Sequence, residues 1–249
     1  MPPKTPKRFP THFLCIPLVT TSSRPQLASS LESFSADVTS ADSFAIPAGA
    51  IRPVGTLHLT LGVMSFPKNE GLEKAVELLK TIVPRRIIAN IKAAATAPAA
   101  PAKDGQEADG TPPPLLSVTL KGIHSMQSAS KATTLYSAPE DPDGILQKFC
   151  EEVKKTFEEA DVMENDKRPL LLHATIINTI YVKGRRQGKK HEKITIDARG
   201  ILDRYDDYEW MRDVPVEKIA ICRMGAKDVE DSDDKAYEVE AEIDVEGTE

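Results

Sequence analysis

The sequence predicts a mixed fold of helices and β-strands, and two observations lead to this prediction. Segments that alternate between apolar and polar residues, as strands do, are separated by segments with apolar residues three or four positions apart, as in helices. Two of the strand-like segments share one pattern, with His58 and Thr60 in the first and His173 and Thr175 in the second. The two halves of the chain therefore loosely echo each other.

The first half of the chain is predicted to contain two strands and two helices. The strand-like segments are residues 12–18 and 56–63. The helical segments, each with one apolar stripe, are residues 24–34 and 71–83. Pro47, Gly49 and Pro53 mark the loop before the second strand.

Residues 92–114 differ from the rest of the chain because they are mostly alanine, proline and small polar residues. Such a segment has too few large apolar side chains to bury, so we interpret it as a flexible insertion. The length of 249 residues fits one large domain or two small ones. We expect residues 1–249 to form a single domain that contains this insertion.

The second half is predicted to contain several strands and two helices. The strand-like segments are residues 116–120, 132–136, 170–182, 194–196, 216–223 and 236–245. The helical segments are residues 143–159 and 198–205. The acidic run 228–234 is predicted to be the solvated tip of a hairpin.

Composition limits the partners that we expect. The net charge of −6 argues against binding a long stretch of nucleic acid such as duplex DNA, whereas a mononucleotide or short RNA needs only a small basic pocket. No apolar run is long enough to span a membrane and no secretory signal begins the sequence, so we expect an intracellular protein, in the nucleus or the cytoplasm. Cys15, Cys150 and Cys222 form no paired motif and are predicted to be buried thiols. We expect a monomer.

The two repeated segments have the form apolar-His-apolar-Thr-apolar. Successive side chains of a strand point to opposite faces, so His58 and Thr60 should share one face while Leu57, Leu59 and Leu61 enter the core. The same alternation places His173 and Thr175 together on one face. The alternative is that both strands carry incidental polar residues.

The four residues suit chemistry at a phosphodiester. One imidazole can take a proton from the nucleophile while the other protonates the leaving oxygen, since imidazole titrates near neutral pH. The hydroxyls of Thr60 and Thr175 can donate to the non-bridging oxygens, where negative charge develops. This chemistry requires no metal or other cofactor, and the pattern does not decide which histidine is the base.

Other kinds of site have little support in the sequence. It has no His-Glu-x-x-His or four-cysteine zinc pattern and no Gly-x-Ser-x-Gly, while residues 184–189 are one residue short of a phosphate-binding loop. His12 and His191 belong to no pattern. His124 lies near the end of a predicted strand and is a candidate for a role near the site.

The paired motifs resemble those of the 2H phosphoesterase superfamily. The chain is most similar to the branch that contains the nuclear-isoform domain of A-kinase anchor protein 7 and the C-terminal domain of subunit 1 of the activating signal cointegrator complex. The matching stretches are Phe13–Leu18, Leu57–Met64, Thr134–Tyr136 and Leu172–Thr179, with weaker similarity from Ile196 to the final predicted strands. The last of the four stretches is the most specific.

This resemblance implies an α+β, bilobal fold in which two antiparallel sheets face a central cleft, with helices outside and the motif strands at the floor. It implies that His58, Thr60, His173 and Thr175 are the catalytic residues. It also implies substrates with a 2′-linked or 2′,3′-cyclic phosphate on a nucleotide or short RNA. We expect neither the KH-like RNA module of the cointegrator subunit nor the kinase-anchoring helix of the anchor protein.

Two further features have open interpretations. Tyr136 belongs to a matching stretch and is a candidate to bind substrate by stacking on a base, although strand tyrosines also pack against cores. A basic cluster follows the second motif and consists of Lys183, Arg185, Arg186, Lys189, Lys190 and Lys193. It can guide phosphates, direct nuclear import or simply be solvated.

Three functions remain open at this point. The first is a phosphodiesterase that acts on 2′-linked, 2′,3′-cyclic or 3′,5′ phosphodiesters. The second is a module that binds a mononucleotide such as AMP, or an RNA end, within a transcription or RNA-processing assembly. The third, ligation by reversal of the same chemistry, requires a second RNA site that the sequence does not indicate.

Overall fold

The computed structural model describes residues 9–95, 114–165, 167–182, 186–187, 190–191 and 194–247. The strands are β1 (His12–Pro17), β2 (His58–Met64), β3 (Ser117–Ser125), β4 (Thr134–Pro139), β5 (Ala174–Asn178), β6 (Arg186–Gln187), β7 (Lys190–His191), β8 (Glu209–Pro215), β9 (Lys218–Arg223), β10 (Lys227–Asp228), β11 (Lys235–Ala236) and β12 (Val239–Asp244). The helices are α1 (Ser23–Thr39), α2 (Leu72–Thr81), α3 (Pro84–Ala95), α4 (Ile145–Glu159) and α5 (Arg199–Arg204).

Two four-stranded antiparallel sheets form the framework. The first sheet has the order β12-β9-β1-β2, and the second has the order β5-β4-β3-β8. The motif strands β2 and β5 are therefore each at the edge of a sheet, and these two edges lie next to each other. The segment before β2 joins them, because Ile51 pairs with Ile177 and the Arg52 amide donates to the Ile176 carbonyl at 2.9 Å. The predicted α+β architecture is confirmed.

Helix α1 covers the second sheet although it follows a strand of the first. Its apolar stripe buries Leu27, Leu31 and Phe34, and the Phe34 ring packs at 4.9 Å against Trp210 of β8. Trp210 in turn donates its indole N–H to the Gly122 carbonyl at 2.8 Å, so its one polar atom is satisfied inside the core. Each fully buried side chain of this size contributes roughly 1.5–3 kcal/mol to folding.

Helices α2 and α4 cover the first sheet, although α4 follows a strand of the second. Helix α2 packs on β12, α4 packs on β2, and α3 packs on α4. Helices thus cross between the two sheets in both directions, and one continuous cluster of buried apolar side chains includes residues from both. This arrangement supports our interpretation that the chain forms one domain.

Most predicted elements are present, but one helix, α3, and one longer strand, β8, were missed. Helix α3 begins at Pro84, a residue favoured in the first turn, and buries Ile88; its last residues overlap the segment 92–114 that we expected to be flexible. Residues 96–113 of that segment lie outside the described residues. Strand β8 was missed because two exposed charged residues, Arg212 and Asp213, interrupt its alternation.

The second motif strand is shorter than predicted. Residues 170–182 were expected to form one strand, whereas β5 covers only Ala174–Asn178 and a 3-10 turn follows at Thr179–Tyr181. The Asn178 side chain accepts a hydrogen bond from the Ile180 amide, which starts this turn and ends the strand. The expected strand 194–196 is reduced to one bridge between Ile196 and Ala132.

Other expectations concern the cysteines, the membrane and the basic cluster. Cys15, Cys150 and Cys222 are free and buried as predicted, and the Sγ atoms of Cys15 and Cys222 are 3.9 Å apart. Among the helices that the structure describes, none has both the length and the apolar composition needed to cross a membrane. The side chains of the basic cluster in 183–193 lie outside the described residues.

Candidate active site

Both motif strands present a histidine and a threonine on the face opposite the core. Leu57, Leu59 and Leu61 are at most 3% exposed, whereas His58 and Thr60 are half-buried. The second motif repeats the pattern: its apolar residues are buried, and the half-buried residues are His173, immediately before β5, and Thr175. The predicted alternation is confirmed in both motifs, and we call the space between these two polar faces the cleft.

The two imidazoles are oriented in the same way by their own backbones. His58 Nδ1 is 2.8 Å from the Thr56 carbonyl, and His173 Nδ1 is 2.8 Å from the Leu171 carbonyl. A carbonyl oxygen can only accept a hydrogen bond, so Nδ1 carries the proton in both rings. The tautomer of each neutral ring therefore leaves a lone pair on Nε2, the nitrogen available to a ligand.

Aromatic rings surround His58 on the side of the first sheet. The rings of Phe13 and Tyr237 have centroids 4.7 and 5.3 Å from the His58 ring. Burial lowers the pKa of His58 to about 4, while its hydrogen bond to Thr56 acts in the opposite direction. The positive charges of His173 and Arg52 lower this pKa further, so both groups are within electrostatic reach of His58.

The threonines of the two motifs have free hydroxyl groups. Neither Thr60 nor Thr175 has a side-chain hydrogen bond to another described residue, so both hydroxyls are available to donate to a ligand. Thr60 lies directly opposite Cys15 of β1, and Thr175 lies opposite Tyr136 of β4. Within the described ranges, no three His, Cys, Asp or Glu side chains are grouped so that they can hold a metal ion.

Tyr136 lies on the cleft face of the second sheet, beside His173. The ring centroids of these two residues are 5.5 Å apart, with the planes at 72° to each other. On its other side, Tyr136 is paired in register with His124, whose ring centroid is also 5.5 Å away. Tyr136 thus lines the cleft and is not a core residue. His124 is on β3, which is one strand further from the motif strand β5 than the β4 strand of Tyr136.

Three residues of the cleft were missed by sequence reasoning. Phe13 and Tyr237 contact His58, and Arg52 influences its pKa, yet none of them belongs to a motif. Phe13 lies within a stretch that resembles the family, but nothing in its spacing relates it to His58. Their positions next to the motif depend on strand pairing and on segments far away in the sequence.

The acidic run before Tyr237 is more than the solvated hairpin tip that we predicted. Asp234, at its end, accepts hydrogen bonds from the Gly55 amide at 2.9 Å and from Arg24 at 2.8 Å. The hairpin β10–β11 is thereby attached to the turn that leads into His58. A Cβ atom on Gly55 would lie 2.4 Å from the Lys235 carbonyl oxygen, so this close approach requires a glycine.

The chain is similar to a known protein family and to a curated protein. The family model of the AKAP7 2′5′ RNA ligase-like domain matches residues 10–245. The uncharacterized protein C15D4.13c of Schizosaccharomyces pombe is 29% identical over 112 residues, which are 45% of this chain and 50% of that protein. This chain therefore spans about half the length of the curated relative that it matches.

Solved structures are similar to the chain along almost its whole length, at low sequence identity. TT0787 of Thermus thermophilus has a TM-score of 0.49 and 15% identity, covering 96% of this chain and all of that one, 100%. LigT of E. coli, complexed with 3′-AMP, has a TM-score of 0.48 and 16% identity, covering 96% of this chain and 99% of that one.

Proposed function

Because the chain belongs to the family of the AKAP7 2′5′ RNA ligase-like domain, we propose that it is a metal-independent phosphodiesterase of the 2H type. Its substrates are 2′-linked, 2′,3′-cyclic or 3′,5′ phosphodiesters of nucleotides or short RNA. One observation supports this most strongly: two imidazoles from adjacent sheet edges share a cleft, and each has Nδ1 bound to a carbonyl and Nε2 available.

In hydrolysis, an oxygen of water attacks phosphorus while the bond from phosphorus to the leaving ribose oxygen breaks. We assign the base role to His58, because a pKa of about 4 keeps its Nε2 unprotonated at neutral pH. His58 Nε2 takes the proton of the attacking water, and His173 Nε2 supplies a proton to the leaving oxygen. One water is consumed, and proton exchange with solvent restores both rings.

The threonines have a separate role in this proposal. The hydroxyls of Thr60 and Thr175, which have no other described partner, donate to the non-bridging oxygens of the phosphate. These oxygens carry the negative charge that develops in the transition state, and donors that are already in position stabilise it without reorganisation. His58, Thr60, His173 and Thr175 are therefore the proposed catalytic residues, and Tyr136 is proposed to stack on a base.

The test is a product analysis with purified protein in the presence of EDTA. We expect cleavage of at least one of three substrate classes: 2′,5′-linked oligoadenylates, 2′,3′-cyclic nucleotides and short 3′,5′ oligoribonucleotides. The phosphate position in the product then distinguishes hydrolysis from cyclisation. If all three classes stay intact with and without EDTA, the proposal is wrong, and calorimetry with AMP and CMP would then ask whether the cleft only binds nucleotides.

A further inference from the structure

Arg52 is a buried cation that the proposed chemistry does not use. The residue is 7% exposed, and its Nη2 atom is buried without a hydrogen-bond partner in the part of the chain that the structure describes. No ion pair joins it to a carboxylate within those ranges. A buried guanidinium without a counter-charge is energetically costly. The presence of Arg52 beside the cleft therefore calls for a functional explanation.

The backbone and an aromatic ring hold Arg52 in place. Its amide donates to the Ile176 carbonyl of β5 at 2.9 Å, which ties the residue to the second motif strand. Its guanidinium carbon is 3.8 Å from the centroid of the Tyr181 ring, a cation–π contact. These contacts fix the position of the guanidinium but use none of the hydrogen-bonding capacity of Nη2.

Tyr237 connects this arginine to the catalytic histidine. Burial raises the pKa of Tyr237, and the positive charge of Arg52 opposes this rise, so the guanidinium is close to the phenol. The ring of Tyr237 also contacts His58, with centroids 5.3 Å apart. The ring of Tyr237 therefore separates Arg52 and Tyr181 from His58.

A second arginine in the molecule shows what a purely structural cation–π contact looks like. Arg204 lies over the ring of Phe44 at 4.6 Å, but its guanidinium also donates to the Asp37 carboxylate at 2.8 Å. Its charge is paired and its donors are used. Arg52 has the same kind of aromatic contact, but no carboxylate among the described residues pairs with it, so its guanidinium can still bind an anion.

We propose that Arg52, with Tyr181 and Tyr237, forms an anion subsite that binds a second phosphate group of the substrate, next to the phosphodiester that reacts. The planar fork of a guanidinium matches two oxygens of a phosphate, and buried donors favour a charged acceptor. The reacting phosphate must lie between the two histidines and has the threonine hydroxyls as donors. The second phosphate is that of a 5′ end or of the opposite, 2′ or 3′, end. This subsite rests on the proposed function.

Calorimetry with three 2′,5′-linked diadenylates tests the subsite. One ligand has hydroxyl groups at both ends, one has a 5′-phosphate, and one has a phosphate at the other end. Binding is measured in the His173→Ala protein, so that turnover does not consume the ligands. We expect one phosphorylated ligand to bind about 10- to 100-fold more tightly than the hydroxyl form, the range for hydrogen bonds to charged groups.

The variant Arg52→Met, in the same background, should reduce this preference to about one. Arg204→Met is the matched control, since it also removes an arginine from an aromatic ring, and it should keep the full preference. If Arg52→Met does not fold, Arg52→Lys replaces it: the charge remains but the fork is lost, so the preference should fall without vanishing. Thermal unfolding establishes which variants are folded.

Two results would overturn the subsite. In the first, no phosphorylated ligand is preferred, or the preference survives in Arg52→Met. In the second, this variant weakens all three ligands equally, which would indicate that Arg52 binds the internal phosphate or only supports the fold. These binding measurements do not depend on turnover. If the protein cleaves no substrate class, the proposed function is wrong but the subsite is not. If it cleaves a substrate but shows no Arg52-dependent preference, the subsite is wrong but the proposed function is not.

Discussion

The two motif strands carry the same residues in different surroundings. His58 is enclosed by Phe13 and Tyr237 of the first sheet, and burial lowers its pKa to about 4. His173 borders Tyr136, and beyond it the exposed His124, on the second sheet. Both rings nevertheless make the same hydrogen bond, from Nδ1 to a carbonyl two residues earlier.

This contrast separates what the motif determines from what the neighbours determine. The motif fixes the orientation and tautomer of each imidazole through its own backbone. The neighbouring strands decide how much water reaches the ring, and water decides how readily the ring is protonated. Burial of one copy of the motif can thus lower the proton affinity of its imidazole, which suits His58 to the proposed role of base.

The largest expected effect tests whether both histidines are needed. We expect His58→Ala and His173→Ala each to lower kcat by about 10²- to 10⁴-fold, because each removes one proton-transfer step. The double variant should be little worse than either single one, since the two groups act as a unit. Single-turnover kinetics on whichever substrate is cleaved would measure this, and a loss below tenfold for either residue would remove it from the mechanism.

A smaller effect is expected for the hydroxyl groups. Thr60→Val and Thr175→Val keep the shape of the side chain but remove a donor to the phosphate, so kcat should fall by up to about 10²- to 10³-fold. Thr60→Ser and Thr175→Ser retain the hydroxyl and serve as matched controls with activity closer to the unaltered protein. If the valine and serine variants have the same rates, the hydroxyls do not stabilise the transition state.

Tyr136 tests whether the second sheet supplies base stacking. Tyr136→Leu should weaken AMP binding by about 1–3 kcal/mol, the contribution of an aromatic side chain to one stacked base. Tyr136→Phe keeps the ring and should bind AMP nearly as well. Calorimetry compares the two variants, and unchanged affinity in Tyr136→Leu would leave this tyrosine with only a packing role beside His173.

The smallest change concerns the pKa of His58 itself. Tyr237→Leu removes a ring that shields His58, so its pKa should rise from about 4 toward its ordinary value of 6.5. NMR titration of the imidazole protons measures this shift. His12, whose pKa is also lowered by burial, is an internal control because it lies outside the cleft. An unchanged His58 titration would mean that Tyr237 does not cause the desolvation.

The lowered pKa of His58 also makes the free energy of unfolding depend on pH. Between pH 6.5 and about 4 the unfolded chain binds a proton at His58 that the folded protein does not, so the free energy of unfolding decreases as the pH falls through this window. His58→Gln should remove that part of the decrease. Urea unfolding at pH 7 and pH 5 compares the two proteins.

Much of the fold followed from local patterns. The stripes of α1, α2 and α4, the apolar run of β1 and the alternation of β2 were predicted because each pattern extends over enough residues to be specific. Strand β8 has an interrupted pattern and becomes a strand only through pairing with β3 and packing against α1. Helix α3 lies beside an alanine- and proline-rich segment whose composition concealed it.

By itself, the sequence determined the four motif residues and the faces that they share, because side-chain alternation along a strand is a local property. It also determined the orientation of each imidazole, since the partner carbonyl is two residues away. Only the tertiary structure decided which residues enclose His58 and why Arg52 Nη2 has no hydrogen-bond partner among the described residues. Phe13, Arg52 and Tyr237 come from distant segments, and burial depends on how sheets and hairpins pack together, not on any local pattern.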